Sequence, residues 1–309
     1  MTEPLRYSKT TIQIPSHTPG WHLDVWQYLP VPSSRPAPVI IMAHGLTANK
    51  LMGLAPYAEA FASVGYACMA FDYRRWGASE GTPRSMVVVK EQLEDYRTVV
   101  KYARHDPAFD PQRVILFGTS FSGGHVITLS AEPELNIKAT IAQCPYTGST
   151  PPPPVNLTTV KQLSLAFLDA VKQLLGMAPL YILAATDPGS GRTGLLVADG
   201  AEDGLHALGS SPGDFPNEVS ASSLLQLPAY DPSSTASRIS SPLLIVAPKQ
   251  DNLCLLSGAQ KVVSMIPDAK GELIVVEGDH FSAYPGRENF ERSKEAQVEF
   301  LKRVVPVSL

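Results

Sequence analysis

Two apolar patterns alternate along this chain. Short, nearly continuous apolar runs bounded by Pro and Gly are followed by longer stretches in which apolar residues recur every three to four positions. The first pattern suits a strand buried on both faces, and the second a helix with one buried stripe. Their alternation predicts a parallel sheet flanked by helices. Thr10–Ser16 (TTIQIPS) and His22–Pro30 (HLDVWQYLP) predict an opening hairpin. Pro38–His44 (PVIIMAH), Tyr66–Arg74 (YACMAFDYR), Arg113–Thr119 (RVILFGT), Lys138–Cys144 (KATIAQC), Pro242–Pro248 (PLLIVAP) and Gly271–Gly278 (GELIVVEG) bring the strands to eight. Leu93, Tyr96, Val100 and Ala103 mark one face of a helix over 86–105, and Phe290, Ala296, Phe300 and Leu301 do so for a closing helix over 289–304.

The rhythm breaks between Thr147 and Ser237. A proline run, a leucine-rich helical stretch (TTVKQLSLAFLDAVKQLLG) and Gly/Ser/Pro-rich loops intervene before strands resume. The expected organisation is a core of residues 1–146 and 238–309 with a cap inserted over 147–237. No internal repeat is visible. Leu163, Leu165, Phe167, Leu168, Val171, Leu174 and Leu175 crowd the cap helix, more than one buried stripe requires. Two readings follow: this surplus lines an apolar substrate cleft, or it seals the cap against the core. Arg192 and Lys161 read as solvated surface.

Composition removes other classes. The chain has 309 residues, 44% of them apolar, and a net charge of -4 with no basic stripe, so nucleic acid is not expected as a partner. No stretch approaches the roughly 20 apolar residues of a membrane span, and the first residues lack the apolar run of a signal peptide. A cytoplasmic protein is the expectation. Cys68, Cys144 and Cys254 lie far apart without Cys/His ligand spacing, so neither a disulfide framework nor a metal site is expected; buried free thiols are.

Two literal G-x-S-x-G motifs, around Ser79 and Ser211, carry the letters of a serine nucleophile, and a degenerate one surrounds Ser120. A nucleophile elbow needs a buried strand before the serine and a helix directly after it. Only Ser120 has both, after Val114–Phe117 and before GGHVITL, with Ser122 replacing the second glycine. Ser79 is followed by Glu80 and, soon after, Pro83. Ser211 precedes Pro212, which has no N–H to give an oxyanion. A serine hydroxyl needs a histidine base and an orienting acid. These should follow it in the order acid then base, at the ends of later strands. Asp251 and His280 occupy those places. Of the seven histidines, His17 and His22 precede the nucleophile, His44 belongs to another loop, His105 and His125 sit on helical stretches, and His206 lies in the cap. Asp279 and Glu277 are rival acids by proximity, but an immediate sequence neighbour rarely reaches back to Nδ1. The backbone N–H groups of Leu46, after the third strand, and Phe121, after the nucleophile, complete an expected oxyanion hole.

The segments HGLTANK, FDYRRWGASEG, GTSFSGGH, KQDNLC and GDHFSAY, in this order and spacing, resemble the α/β-hydrolase fold over nearly the whole chain. Within it the chain is similar to dienelactone-hydrolase-like proteins. It is more closely similar to a fungal secondary-metabolism group that includes polyketide transferases and toxin-biosynthesis hydrolases, whose hairpin-like stretch the segment 178–204 resembles. The resemblance implies a cofactor-free Ser-His-Asp acyl-transfer enzyme, with Ser120, Asp251 and His280 as triad and Leu46 and Phe121 as oxyanion donors. Its expected partner is a small apolar acyl ester or thioester of medium length or longer, with a polyketide synthase carrier protein and a second copy of the chain as further candidates. Hydrolysis and transfer share the acyl-enzyme, so both stand open. A binding-only receptor on the same fold is the reading from another class, and the intact triad argues against it.

Overall fold

The computed structural model describes residues 6–31, 36–148 and 157–307. Strands β1 (Arg6–Pro15) and β2 (His22–Val31) form the opening hairpin, paired from Arg6 with Val31 to Pro15 with His22. There follow β3 (Ala37–Ala43), α1 (Ala55–Ala62), β4 (Ala67–Phe71), α2 (Val89–His105), β5 (Phe109–Thr119), α3 (Phe121–Ser130) and β6 (Ala139–Gln143). The segment after β6 carries α4 (Leu157–Leu174), β7 (Tyr181–Thr186), β8 (Gly194–Val197), α5 (Ala201–His206) and β9 (Val219–Ser220). The chain then closes with β10 (Leu243–Pro248), α6 (Leu256–Met265), β11 (Gly271–Val276) and α7 (Phe290–Val304).

Eight strands make one sheet in the order β1-β2-β4-β3-β5-β6-β10-β11. The pairs β2–β1 and β2–β4 are antiparallel and the remaining pairs parallel, so β2 alone runs against the others. Every residue of β3, β4, β6 and β10 is buried. Their apolar runs are continuous because helices cover both faces. The two-residue period of a strand splits them between two cores. Ile40, Met42, Ile115 and Phe117 meet Tyr57 and Phe61 of α1 and Phe300 of α7. Val39, Ile41 and Leu116 meet Tyr96 and Val99 of α2 and Val126 of α3. Each such side chain contributes roughly 1.5–3 kcal/mol by transfer out of water.

The segment between β6 and β10 departs from expectation in two places. The proline run, Pro151–Pro154, lies outside the described residues. The hairpin expected within 178–204 is not one: β7 and β8 run parallel, Leu183 beside Gly194 and Thr186 beside Val197, with β9 antiparallel on the other edge of β7. Only Leu183–Thr186 of β7 pairs with β8, so the connector 187–193 has to carry the chain back merely about 10 Å at roughly 3.3 Å per residue. Positive φ at Gly189 and Gly191 lets it turn. Finally, of the crowded apolar residues of α4 only Leu165 packs against the core, and most of the others face outward. Ala166 and Asp169 are what it buries, while Phe167, Leu168, Val171 and Leu174 are half or more exposed.

Candidate active site

Ser120 sits between β5 and α3 with φ 56° and ψ −118°, a backbone state that L-residues avoid. Its surroundings hold it there. The Ser120 N–H donates to the Gln143 carbonyl at 2.8 Å, and the Ser120 carbonyl accepts from Tyr146 N–H at 2.8 Å. Gly118 permits the sharp crossing, because a Cβ there would lie 2.2 Å from the Ser122 carbonyl oxygen. Such strain persists only where contacts over-determine it. On the opposite side Gly45 lets the loop after β3 close in, since a Cβ at that position would meet the Ser120 Cβ at 2.9 Å.

The three residues expected to act together converge. His280 Nε2 lies 3.1 Å from Ser120 Oγ, and His280 Nδ1 lies 2.7 Å from Asp251 Oδ2. An ionised carboxylate can only accept, so Nδ1 carries the proton and Nε2 is free to accept from the serine hydroxyl. Asp251 is oriented by two further donors, the N–H groups of Leu253 at 2.8 Å and Cys254 at 2.7 Å. All three residues stand just beyond the carboxyl ends of β5, β10 and β11, where open α/β sheets place their sites. The rival acids are elsewhere: Asp279 accepts from Phe281 N–H within its own turn, and Glu277 bonds to Gln250 at the surface. Ser79 is a turn residue, donating to the Asp72 carbonyl and accepting from Asp24 N–H. Ser211 is an exposed cap of a short turn ending at Asp214.

Leu46 and Phe121, the expected oxyanion donors, both border the same cavity as Ser120 and His280. Phe121 opens α3, where first-turn N–H groups have no acceptor within the helix. Its ring is held by His125 at 4.8 Å, Tyr146 at 5.3 Å and Tyr230 at 5.5 Å between centroids. The cavity measures about 160 Å³. Its apolar wall comes from Met52, Leu253 and Phe281 and, across the opening, from Leu196, Leu205, Leu208 and Leu227. No residue of α4 belongs to it, so the apolar cleft expected from that helix is built by β8, α5 and the turn near Leu227 instead. Leu205 and Leu208, three apart on α5 and its exit, were the available signal. Cys68 and Cys144 are buried free thiols, whereas Cys254 is partly open and borders the cavity. Burial pushes the Cys144 thiol up to about 12 and the Cys254 thiol well above its ordinary value, with the Asp251 charge adding to both. Neither therefore supplies a thiolate to compete with Ser120. No group of three His, Cys, Asp or Glu among the described residues could hold a metal ion.

Two histidines beneath the site are buried and neutral. Burial lowers His44 to about 4, against the partly compensating charge of Asp72, and lowers His125 to about 3. His125 bonds instead to the Tyr230 hydroxyl at 2.7 Å and to Gln92 at 2.9 Å. Below pH 6.5 the unfolded chain protonates these groups while the folded chain does not. Stability should then fall, for each histidine, by about 1.4 kcal/mol per pH unit from 6.5 down toward 4. Urea midpoints at a series of pH values check this, and His125→Gln should flatten the slope. A midpoint independent of pH over that window would refute it.

The family model described as serine aminopeptidase, S33, matches residues 34–192. The chain is 39% identical over 283 residues, 91% of each protein, to the quorum-quenching protein AidA of Acinetobacter baumannii. It is 29% identical over 290 residues, 93% of this chain and 94% of the other, to polyketide transferase ATR5 of Stachybotrys chlorohalonatus. The solved structure of the α/β hydrolase GrgF from Penicillium superimposes with a TM-score of 0.80 at 25% identity, covering 98% of this chain and 100% of that one. A strained serine at the strand-to-helix turn of this sheet order, with relatives of these kinds, leads to one conclusion: the chain is an enzyme and belongs to the serine aminopeptidase S33 family of α/β-hydrolases.

Proposed function

We propose that the protein is a serine esterase or thioesterase acting on a small apolar acyl substrate through an acyl-Ser120 intermediate, with residues 147–237 serving as its cap. The observation that carries this reading is the Ser120–His280–Asp251 hydrogen-bonded chain opening into an apolar cavity. Ser120 Oγ attacks the acyl carbonyl as His280 Nε2 takes its proton. The Leu46 and Phe121 N–H groups receive the oxyanion, and the leaving alkoxide or thiolate departs with the proton from His280. Water, activated by the same imidazole, then releases the acid. An alcohol in place of that water gives transfer, the second reading, which the polyketide transferase relatives favour. A polyketide synthase carrier protein is the corresponding thioester donor.

Intact-protein mass spectrometry after exposure to a fluorophosphonate and to a panel of acyl thioesters tests the intermediate. A single phosphonyl adduct and a trapped acyl adduct, both absent in Ser120→Ala, are expected. No adduct with any reagent would overturn the reading.

Cavity size sets the acyl length. An apolar cavity of about 150 Å³ holds a benzene-sized group, so about 160 Å³ accommodates roughly six carbons. Each buried methylene is worth up to about 0.8 kcal/mol, nearly fourfold in kcat/KM. Across p-nitrophenyl esters, kcat/KM should climb from acetyl to about hexanoyl and then level off, with acetyl a poor substrate. A profile that falls from acetyl onward would remove the apolar pocket.

A further inference from the structure

Helix α4 wears its amphipathic pattern inside out. Val160, Leu163, Phe167, Leu168, Val171 and Leu174 are each between 43% and 86% exposed. At 100° per residue they form a stripe about 140° wide along the helix. The inner side is mostly small and polar: Ala166 packs with the partly buried Leu165 beside it, while Asp169 accepts from the N–H groups of Leu180 and Ser222 and from the Ser220 hydroxyl. A helix whose only task was to cover its own core would show the opposite arrangement.

The geometry points to a homodimer in which α4 packs against α4 of a second copy. With Leu157, Leu175 and Met177 at its ends, the exposed apolar area is on the order of 800 Å², taking roughly 150 Å² for a fully open side chain. That matches the approximately 800 Å² per partner of a specific interface and exceeds the roughly 300–600 Å² of the largest patch on a typical monomer. The patch also has the charge distribution of an interface core, with ionised groups kept to the rim. Of the three charged residues on α4, Asp169 faces inward, and Lys161 and Lys172 both fall on one edge of the stripe. An uncharged stripe of similar side chains along its whole length is self-complementary, as a two-fold axis demands. An anionic lipid surface fits less well, because the basic groups occupy a single edge and the chain as a whole carries -4. Pairing here would brace the substrate cavity indirectly, since Gln162 of α4 donates to the Gly194 carbonyl on β8, the strand that supplies Leu196.

Sedimentation velocity of the full chain at tens of micromolar is expected to give twice the 33.3 kDa chain mass. The double variant Phe167→Glu, Val171→Lys places charges in the middle of the stripe, while its i,i+4 Glu–Lys pair supports the helix. It should sediment as a monomer with an unchanged circular dichroism spectrum. A monomeric wild-type protein overturns the proposal, as does a double variant that remains dimeric. Wild-type protein that is monomeric and floats with phosphatidylglycerol vesicles overturns it in favour of a lipid surface.

Discussion

Ser120→Ala is expected to lower kcat by about 10⁶-fold without unfolding the protein, the loss seen when a triad nucleophile is removed. The alanine keeps the Cβ and leaves the two backbone hydrogen bonds that fix the turn, from Ser120 N–H to Gln143 and from Tyr146 N–H to Ser120. Only the attacking oxygen goes. The controls are the two serines that carry the motif letters. Ser211→Ala touches an exposed turn and should change little. Ser79→Ala leaves the Asp24 N–H without its acceptor, a cost of about 1–3 kcal/mol in stability, but should retain most of kcat. Rates on the best p-nitrophenyl ester, with thermal melts alongside, separate these effects. A folded Ser120→Ala protein that turns over at the wild-type rate would move the nucleophile elsewhere.

Asp251→Asn should cost about 10⁴-fold in kcat with little change in KM. The Asp251 carboxylate accepts from His280 Nδ1 at 2.7 Å and from two backbone N–H groups through its other oxygen. Those N–H groups will orient an asparagine carbonyl toward themselves, leaving its NH₂ facing the ring. The imidazole then has to accept at Nδ1, its proton moves to Nε2, and the base no longer accepts from Ser120. Asp279→Asn should stay within a few-fold of wild type, because that carboxylate serves only its own turn. If Asp279→Asn proves the damaging change and Asp251→Asn the mild one, the orienting acid has been misassigned.

Much of this was legible in the sequence. Strands β3, β4, β6 and β10 could be read because burial on both faces forces continuous apolar runs, and punctuation by Pro and Gly sets their ends. Ser120 was distinguishable from Ser79 and Ser211 because an elbow imposes a strand, a turn and a helix, and only one serine had all three. Asp251 and His280 followed from their position at strand ends. The segment after β6 was less legible for physical reasons. Periodicity on α4 shows that it has an apolar face but carries no sign of which way that face turns. The pairing of β7 with β8 depends on how far a seven-residue connector doubles back, which its glycines permit without specifying. Tyr230, which closes over Phe121 and bonds His125, lies more than 100 residues from its partner in a stretch with no period at all.

That last contact bears on which cavity wall is held to α3. Tyr230 is tied to His125 and Thr128 on α3, and the Tyr146 hydroxyl donates to the Leu227 carbonyl, so the wall near Leu227 is anchored to the nucleophile helix itself. Any shift of that wall would be felt at Phe121, whose ring meets both Tyr146 and Tyr230. The opposite wall, carried by α5, is held from the other side, where Gly204 packs against the Phe281 ring and Asn252 Nδ2 donates to the Asp199 carbonyl. The two walls are thus moored to different strand ends, one to the helix after β5 and the other to the loops after β10 and β11.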